Sequence, residues 1–344
     1  MTVSAPEIIK PNHRFLFKPV ENCETEGCHM DVWLPDGAKE ITAGNRLPLA
    51  IMIHGGAFTM GASSDVPDNQ VHHYLENGIA VVSLEYRMVP HVTQFEIRDD
   101  LMDAYHFIQQ KLNSRLAVEL GIKNDVVDTK KVILFGGSAG GTSVLCLAAD
   151  IEKYNSEHKE SLPQVKAILC AYPLTDPDNH FAEPKAAWAE KTRKMFPEDW
   201  ELIKDFPDKG KVCTGYNFPV GRWDTCKDPR FLFARTAMAT QTLNSFLYGC
   251  DAPYPPSASA LNLITPTYPP TYVLAAMADE LIPKEHSLLL YNKLQTQGVE
   301  SYIVKVAGAA HGFVERPRTD WPTDADYWKD AIRETVDWAI AKVK

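Results

Sequence analysis

The segment Gly136–Gly141, with the sequence GGSAGG, constrains the fold of this chain more than any other feature. It follows the apolar run Lys131–Phe135, which predicts a buried strand, and precedes Thr142–Ala149, which predicts a helix. A strand, a G-x-S-x-G turn and a helix in direct succession require a sharp bend, which the small neighbours of Ser138 permit. This context predicts a nucleophile elbow, with the serine hydroxyl projecting from a strained turn. A phosphate loop is disfavoured, because no Lys-Ser/Thr pair follows and no G-x-G-x-x-G occurs.

A second glycine-rich segment follows another predicted strand. The strand Leu49–Ile53 ends in His54–Phe58, with the sequence HGGAF. Residues with small side chains allow backbone N–H groups to turn towards a developing negative charge, as in the loop that accompanies an elbow. We expect this oxyanion hole to use the N–H groups of Gly55, Gly56 and Ala139. Ala57 is a further donor candidate, and His54 is expected to support the loop rather than act as a base.

Two further strands predict the positions of an acid and a base. Asp279 and Glu280 follow the strand Thr271–Ala276, and His311 follows the strand Ser301–Val306 in a loop of small residues. Functional groups in open α/β sheets cluster at the carboxyl ends of strands, so we expect these side chains to meet the serine. The resulting chain order is serine, acid, histidine. Asp279 is favoured as the acid because it comes first after the strand, and Glu280 is the alternative.

Five separated segments together resemble the hormone-sensitive-lipase-like branch of the α/β-hydrolase superfamily, a group of carboxylesterases. The matching segments are HGGAF at 54–58, SLEYRMVP at 83–90 with Asp100 after it, GGSAGG at 136–141, DEL at 279–281 and HGF at 311–313. Two positions depart from the family pattern. Ala57 replaces the third oxyanion glycine, and Gly137 replaces the aspartate that usually precedes the serine. Both departures make the substrate range harder to carry over from the family.

The alternation of strands and helices predicts an α/β fold with a mostly parallel central sheet and helices on both faces. Residues 1–45 are expected to form the first strands and part of a cap. Residues 46–175 and 268–344 are expected to form the two parts of an α/β-hydrolase core. Residues 176–267 contain no clear strand and are rich in aromatic residues and proline, so we expect a helical cap over the site.

Bulk properties restrict the partners. The formal net charge of −10 at pH 7 disfavours nucleic acid and anionic membranes. The first residues lack the features of a signal peptide and no apolar stretch is long enough to span a membrane, so a cytoplasmic protein is expected. Seven cysteines match neither a disulfide framework nor a zinc motif. We expect no metal and no organic cofactor, and the sequence leaves a homodimer open.

These features predict a serine hydrolase that cleaves a small apolar or aromatic carboxylic ester. Ser138 is expected to be the nucleophile, His311 the general base and Asp279 the group that orients His311. The same groups could open lactones or amides, or transfer the acyl group to an alcohol in small-molecule metabolism. A non-catalytic ligand receptor on a hydrolase scaffold is the alternative of another class, although such receptors typically lose the histidine.

Overall fold

The predicted strands assemble into one sheet. The structure is a computed structural model that describes residues 9–42, 44–122, 124–178, 210–217, 228–239, 242–314 and 326–344. The sheet in these residues has eight strands: β1 (His13–Pro19), β2 (Gly27–Trp33), β3 (Leu47–Ile53), β4 (Ala80–Leu84), β5 (Val127–Gly137), β6 (Ala167–Ala171), β7 (Thr271–Ala276) and β8 (Ser301–Val306). The sequence predicts strands at 15–18, 29–34, 49–53, 79–84, 131–135, 165–171, 271–276 and 301–306, so each strand is found with ends that differ by up to four residues.

The strand order across the sheet is β1-β2-β4-β3-β5-β6-β7-β8. The pairs β1/β2 and β2/β4 are antiparallel, and every later pair is parallel. The prediction of a mostly parallel sheet is therefore confirmed. Because parallel strands end at the same edge, the loops after β3, β5, β7 and β8 can converge on one site.

Helices cover both faces of the sheet. Those that the structure describes are α1 (Asp68–Glu76), α2 (Gln94–Gln110), α3 (Leu112–Leu120), α4 (Ala139–Glu157), α5 (Pro229–Ala239), α6 (Leu243–Tyr248), α7 (Glu285–Thr296) and α8 (Arg333–Ala341). Successive side chains of β3 point to opposite faces of the sheet and pack into two different apolar cores. Leu49, Ile51 and Ile53 belong to one apolar core, shared with α2, α4 and α7, whereas Ala50 and Met52 belong to another, shared with α1 and α8. This alternation follows from the two-residue period of a strand.

The sequence predicts a single helix over 99–120, and this prediction is wrong at both its start and its middle. Helix α2 begins five residues earlier, at Gln94. Its first turn is fixed by the Glu96 carboxylate, which accepts hydrogen bonds from the N–H group (2.8 Å) and the hydroxyl (3.1 Å) of Thr93. Lys111, with φ −128° and ψ −22°, then separates α2 from α3.

The predicted cap is described only in part. Helices α5 and α6 lie within it, and isolated bridges join Val212 to Cys23 and Tyr216 to Gly61. Many of its aromatic residues, including Trp188, lie outside the described residues, as do residues 1–8 of the predicted N-terminal contribution. The boundaries at 45, 175 and 267 therefore stay predictions. No helix in the described ranges has both the length and the apolar composition of a membrane span.

Candidate active site

The turn between β5 and α4 has the strained geometry that the sequence predicts. Ser138 adopts φ 57° and ψ −123°, a combination that is sparsely populated for a residue with a side chain. The neighbouring glycines let the backbones approach closely. A Cβ atom on Gly136 would lie 2.2 Å from the carbonyl oxygen of Gly140, and one on Gly140 would lie 2.0 Å from that of Ile53. The glycines therefore hold α4 directly against β5 and β3, with Ser138 at the bend.

The structure brings together Ser138, His311 and Asp279. The Nε2 atom of His311 lies 2.9 Å from the serine Oγ, across 173 positions of sequence. Its Nδ1 atom lies 2.8 Å from Oδ2 of Asp279. Because a carboxylate only accepts hydrogen bonds, the proton of the neutral imidazole belongs on Nδ1 and Nε2 accepts from the serine hydroxyl. The serine is 6% exposed and the histidine side chain 18%, so these groups are largely shielded from water.

The loop after β7 fixes the orientation of Asp279. Its Oδ1 atom accepts hydrogen bonds from the backbone N–H groups of Leu281 and Ile282, both at 2.8 Å. The side chain is 1% exposed, and the two oxygens face different partners. Glu280, the alternative acid, is exposed and lies outside this hydrogen-bonded chain. The geometry therefore favours Asp279 as the partner of His311, as the sequence predicts.

Residues 54–61, which we call the β3 loop, run beside the serine. Its backbone has positive φ at Gly56 (107°), Ala57 (54°) and Phe58 (60°). The carbonyl oxygen of Gly56 accepts hydrogen bonds from the N–H groups of Thr59 and Met60, both at 3.0 Å. In the described part of the chain, no backbone carbonyl accepts a hydrogen bond from the N–H groups of residues 55–57. Among the described residues, these N–H groups and that of Ala139, the first residue of α4, have no hydrogen-bond acceptor, as the donors of an oxyanion hole require.

His54 is buried beneath the β3 loop. Its ring stacks on that of Tyr86, with centroids 4.5 Å apart, and its Nδ1 atom lies 2.8 Å from the carbonyl oxygen of Gly55. Burial lowers the pKa of His54 to about 4, so the imidazole is neutral at physiological pH. A Cβ atom on Gly61 would lie 2.1 Å from Nδ1, which shows how closely the loop wraps the ring. These contacts support the expected structural role of His54.

Sequence reasoning missed Tyr172, which follows β6. Its ring lies 4.8 Å from that of His311 and 5.5 Å from that of Phe313, measured between centroids. The hydroxyl oxygen is 3.0 Å from the position that a Cβ atom on Gly137 would occupy. The tyrosine thus fills the space that a side chain at position 137 would enter. The glycine at 137 was the available signal, since a missing side chain implies that another group occupies its place.

The described residues contain no group of three or more histidine, cysteine, aspartate or glutamate side chains that could hold a metal ion. Six of the cysteines are described, and all six are free thiols. Burial raises the pKa of Cys146 to about 11 and that of Cys213 to about 12. These thiols stay protonated at neutral pH and are poor nucleophiles.

Known proteins resemble the chain in both sequence and fold. The BD-FAE family matches residues 30–199, and the dienelactone hydrolase family matches residues 234–341. An esterase from Thermogutta terrifontis, solved with propionate, superposes with a TM-score of 0.59 at 19% identity, covering 97% of this chain and 93% of the esterase. An α/β-hydrolase superfamily protein from Enterococcus faecalis gives a TM-score of 0.60 at 16% identity, covering 97% and 100% of the two chains.

The curated relatives are much longer proteins. Non-reducing polyketide synthase mapC' from Penicillium brevicompactum is 25% identical over 307 residues, which are 82% of this chain and 14% of the synthase. The 5-methylorsellinic acid synthase from Aspergillus terreus is 27% identical over 317 residues, which are 82% of this chain and 12% of that protein. The chain therefore spans about one seventh or less of the length of these relatives.

The sheet, the elbow and the structural neighbours define the fold of the chain, which is that of the α/β hydrolases. The resemblance to the hormone-sensitive-lipase-like branch is confirmed by the first family match, and the dienelactone hydrolase family adds a second match over the C-terminal part.

Proposed function

We propose that this protein is a serine esterase that cleaves carboxylic esters through an acyl-enzyme intermediate. The observation that carries the proposal is the continuous chain of hydrogen bonds from the Ser138 hydroxyl through His311 to Asp279. In the first step the serine Oγ attacks the ester carbonyl while Nε2 of His311 takes its proton. The carboxylate keeps the imidazole in the required tautomer and stabilises the cation that forms. The imidazolium then protonates the departing alkoxide.

The second half of the reaction uses the same groups in reverse. His311 removes a proton from water, the hydroxide attacks the acyl-enzyme, and the proton returns to the serine Oγ as the carboxylic acid leaves. Both tetrahedral intermediates carry an oxyanion. We assign its binding to the N–H groups of Gly55, Gly56 and Ala139, of which the first two have no backbone acceptor in the described residues. Loss of one such donor typically lowers kcat by about 10²–10³-fold.

A fluorophosphonate probe tests the nucleophile directly. The probe should leave one covalent adduct, located on Ser138 by mass spectrometry, and Ser138→Ala should take up none. Ser143→Ala is the matched control because Ser143 is buried in the first turns of α4, close to Ser138 in sequence, and lies outside the hydrogen-bonded chain. An adduct elsewhere with Ser138 unmodified would exclude the proposed nucleophile. In contrast, a protein that reacts with no probe and hydrolyses no ester would favour the receptor alternative.

The predicted cap is proposed to set the substrate range. Its many aromatic residues and the methyl group of Ala57 beside the β3 loop favour a compact apolar pocket. Such a pocket separates neighbouring homologues by only about 1–3 kcal/mol per methylene, so preference should change gradually with acyl length. A series of p-nitrophenyl esters should show short or aromatic acyl groups as the best substrates. Long-chain esters as the best substrates would contradict a compact pocket.

A second candidate function follows from the curated relatives, which are named as polyketide synthases. We propose acyl release from a thioester, by hydrolysis or by transfer to an alcohol, as the alternative reaction of the same site. N-acetylcysteamine thioesters of aromatic acids, compared with the matching p-nitrophenyl esters, distinguish the two. A markedly higher kcat/KM for the thioesters would favour acyl release, and ester products formed in the presence of an alcohol would indicate transfer. Hydrolysis assays with a set of lactones and amides test the remaining alternative reactions.

The cytoplasmic location and the homodimer also stay proposals. Cell fractionation tests the first and the solution mass from light scattering tests the second.

A further inference from the structure

Part of the predicted cap is paired directly with the β3 loop. Gly61 and Tyr216 exchange two backbone hydrogen bonds of 2.8 Å, from each N–H group to the other carbonyl. Cys213 accepts a hydrogen bond of 2.9 Å from the N–H group of Met88, in the segment that follows β4. A small apolar cluster of Met60, Phe231 and Ala234 then joins the loop to helix α5. Contacts between cap and loop are therefore both polar and apolar.

Arg230, in the first turn of α5, makes the most direct polar contact with the loop. The Asp228 carboxylate caps the helix by accepting hydrogen bonds from the N–H groups of Arg230 (2.9 Å) and Phe231 (3.2 Å). From this position, one guanidinium nitrogen of Arg230 donates to the carbonyl oxygens of Thr59 (3.0 Å) and Val89 (3.1 Å). The arginine residue is 5% exposed, so these charge-assisted bonds lie away from water, where they are strongest.

The β3 loop depends on such support because of its backbone. Ala57 and Phe58 have positive φ without being glycine, and such conformations persist only where the surroundings hold them. The carbonyl oxygen of Phe58 accepts a hydrogen bond of 3.0 Å from the N–H group of Val89, the residue whose own carbonyl binds Arg230. One guanidinium thus joins the end of the strained turn to the segment that supports it.

We propose that Arg230 is a positioning residue for the oxyanion hole, through which the cap controls the geometry of the β3 loop. The inference rests on the proposed function, because it concerns the donors of that same site. The arginine touches neither Ser138 nor His311 in the described contacts, so its effect should fall on oxyanion binding and not on proton transfer.

The test compares Arg230→Met, which keeps the length of the side chain and removes the donors, with Arg230→Lys, which retains a cation able to reach one carbonyl. Arg98→Met is the matched control. Arg98 is also an arginine shielded from solvent that donates to a backbone carbonyl, that of Ser257 at 3.1 Å, and it pairs with Asp150. It makes no described hydrogen bond with the β3 loop.

We expect Arg230→Met to lower kcat for p-nitrophenyl butyrate by about tenfold to a hundredfold, less than full loss of a donor, with little change in KM. The kcat for this ester divided by the kcat for the corresponding thionoester should fall. The sulfur of the thionoester accepts hydrogen bonds weakly, so an intact oxyanion hole stabilises its transition state much less than that of the ester. The pH profile should keep its shape, and Arg230→Lys should recover part of the lost rate. Arg98→Met should leave kcat and the ratio unchanged even if its Tm is lower.

Hydrogen exchange makes the test independent of catalysis. Arg230→Met should speed amide exchange in peptides that cover residues 55–62 and leave the peptides of β5 and β6 unchanged. If exchange and the ester ratio both match wild type, Arg230 does not position the loop and the inference is overturned. If wild type hydrolyses no ester but exchange in the loop still depends on Arg230, the proposed function fails while the structural coupling stands.

Discussion

Replacing Asp279 by asparagine should abolish most of the activity without unfolding the protein, and the structure explains why. The Oδ1 atom of Asp279 accepts two backbone hydrogen bonds, from Leu281 and Ile282, while Oδ2 faces His311. In Asp279→Asn, the amide oxygen must take the Oδ1 position, since an amide NH₂ group cannot accept from two N–H donors. The NH₂ group is then directed at Nδ1 of the histidine, which must become an acceptor.

The loop therefore selects the wrong tautomer of His311. With Nδ1 as the acceptor, the ring proton moves to Nε2, which lies 2.9 Å from the serine Oγ and can no longer take its proton. The corresponding change in another serine hydrolase lowers kcat by about 10⁴-fold. At about 1.36 kcal/mol per factor of ten, we expect a loss of about 5 kcal/mol of transition-state stabilisation.

The assay is steady-state hydrolysis of p-nitrophenyl butyrate, with circular dichroism and Tm as checks on folding. Glu280→Gln provides the matched control, because it makes the same carboxylate-to-amide change one residue later on an exposed side chain. It should retain activity within about threefold of wild type, as expected for a surface substitution. Comparable losses in the two variants, or a larger loss in Glu280→Gln, would refute the assignment of Asp279.

Three further predictions concern the elbow and its surroundings. Gly140→Ala should destabilise the protein by about 3 kcal/mol or more in urea unfolding, because the new methyl group would lie 2.0 Å from the Ile53 carbonyl oxygen. Gly44→Ala, with nothing within 4 Å, should be neutral, and equal stability of the two would contradict the close-packing argument. Gly137→Ala places a methyl group 3.0 Å from the Tyr172 hydroxyl oxygen and should lower kcat by about tenfold by displacing the ring that packs on His311. Adding Tyr172→Phe should recover part of that loss, whereas an unchanged kcat in Gly137→Ala would show that the ring yields freely. Burial lowers the pKa of His54 to about 4 from 6.5, so the unfolded chain binds the extra proton and stability should decline as pH falls from 6.5 to 4. His54 contributes at most about 3 kcal/mol to that decline. The free energy of unfolding, measured with a chemical denaturant at pH 7 and pH 5, should decline less in His54→Asn than in wild type. An equal decline in the two proteins would exclude His54 as its source.

The local pattern of the sequence determined the strands and predicted the candidate functional residues that follow them. Apolar runs predicted all eight strands that the structure describes, because strands buried on one face alternate and strands buried on both faces are apolar throughout. Small residues around Ser138 predicted the elbow, since the bend excludes larger ones. The order of Ser138, Asp279 and His311 followed from their positions after strands, because parallel strands end at one edge.

Two local details were not decided by the apolar pattern. The prediction of a helix starting at Asp99 was wrong because it followed the apolar pattern and overlooked the capping box of Thr93 and Glu96, a signature that the sequence contains. The choice between Asp279 and Glu280 depended on which carboxylate the loop after β7 turns inward, and residue order alone did not show this.

Contacts between distant segments were decided only by the tertiary structure, as Tyr172 and Arg230 show at the site itself. Gly137 shows in the sequence that this position has no side chain. The neighbouring residues do not reveal that the ring of Tyr172 occupies the space beside it. Arg230 lies 171 positions from Thr59, and nothing in either segment indicates that they meet. Local sequence determines which backbone shapes are accessible, whereas the pairing of a donor with a distant carbonyl depends on how the whole chain packs. The sequence therefore predicted the residues of the candidate site, and the tertiary structure decided which side chains hold them in position.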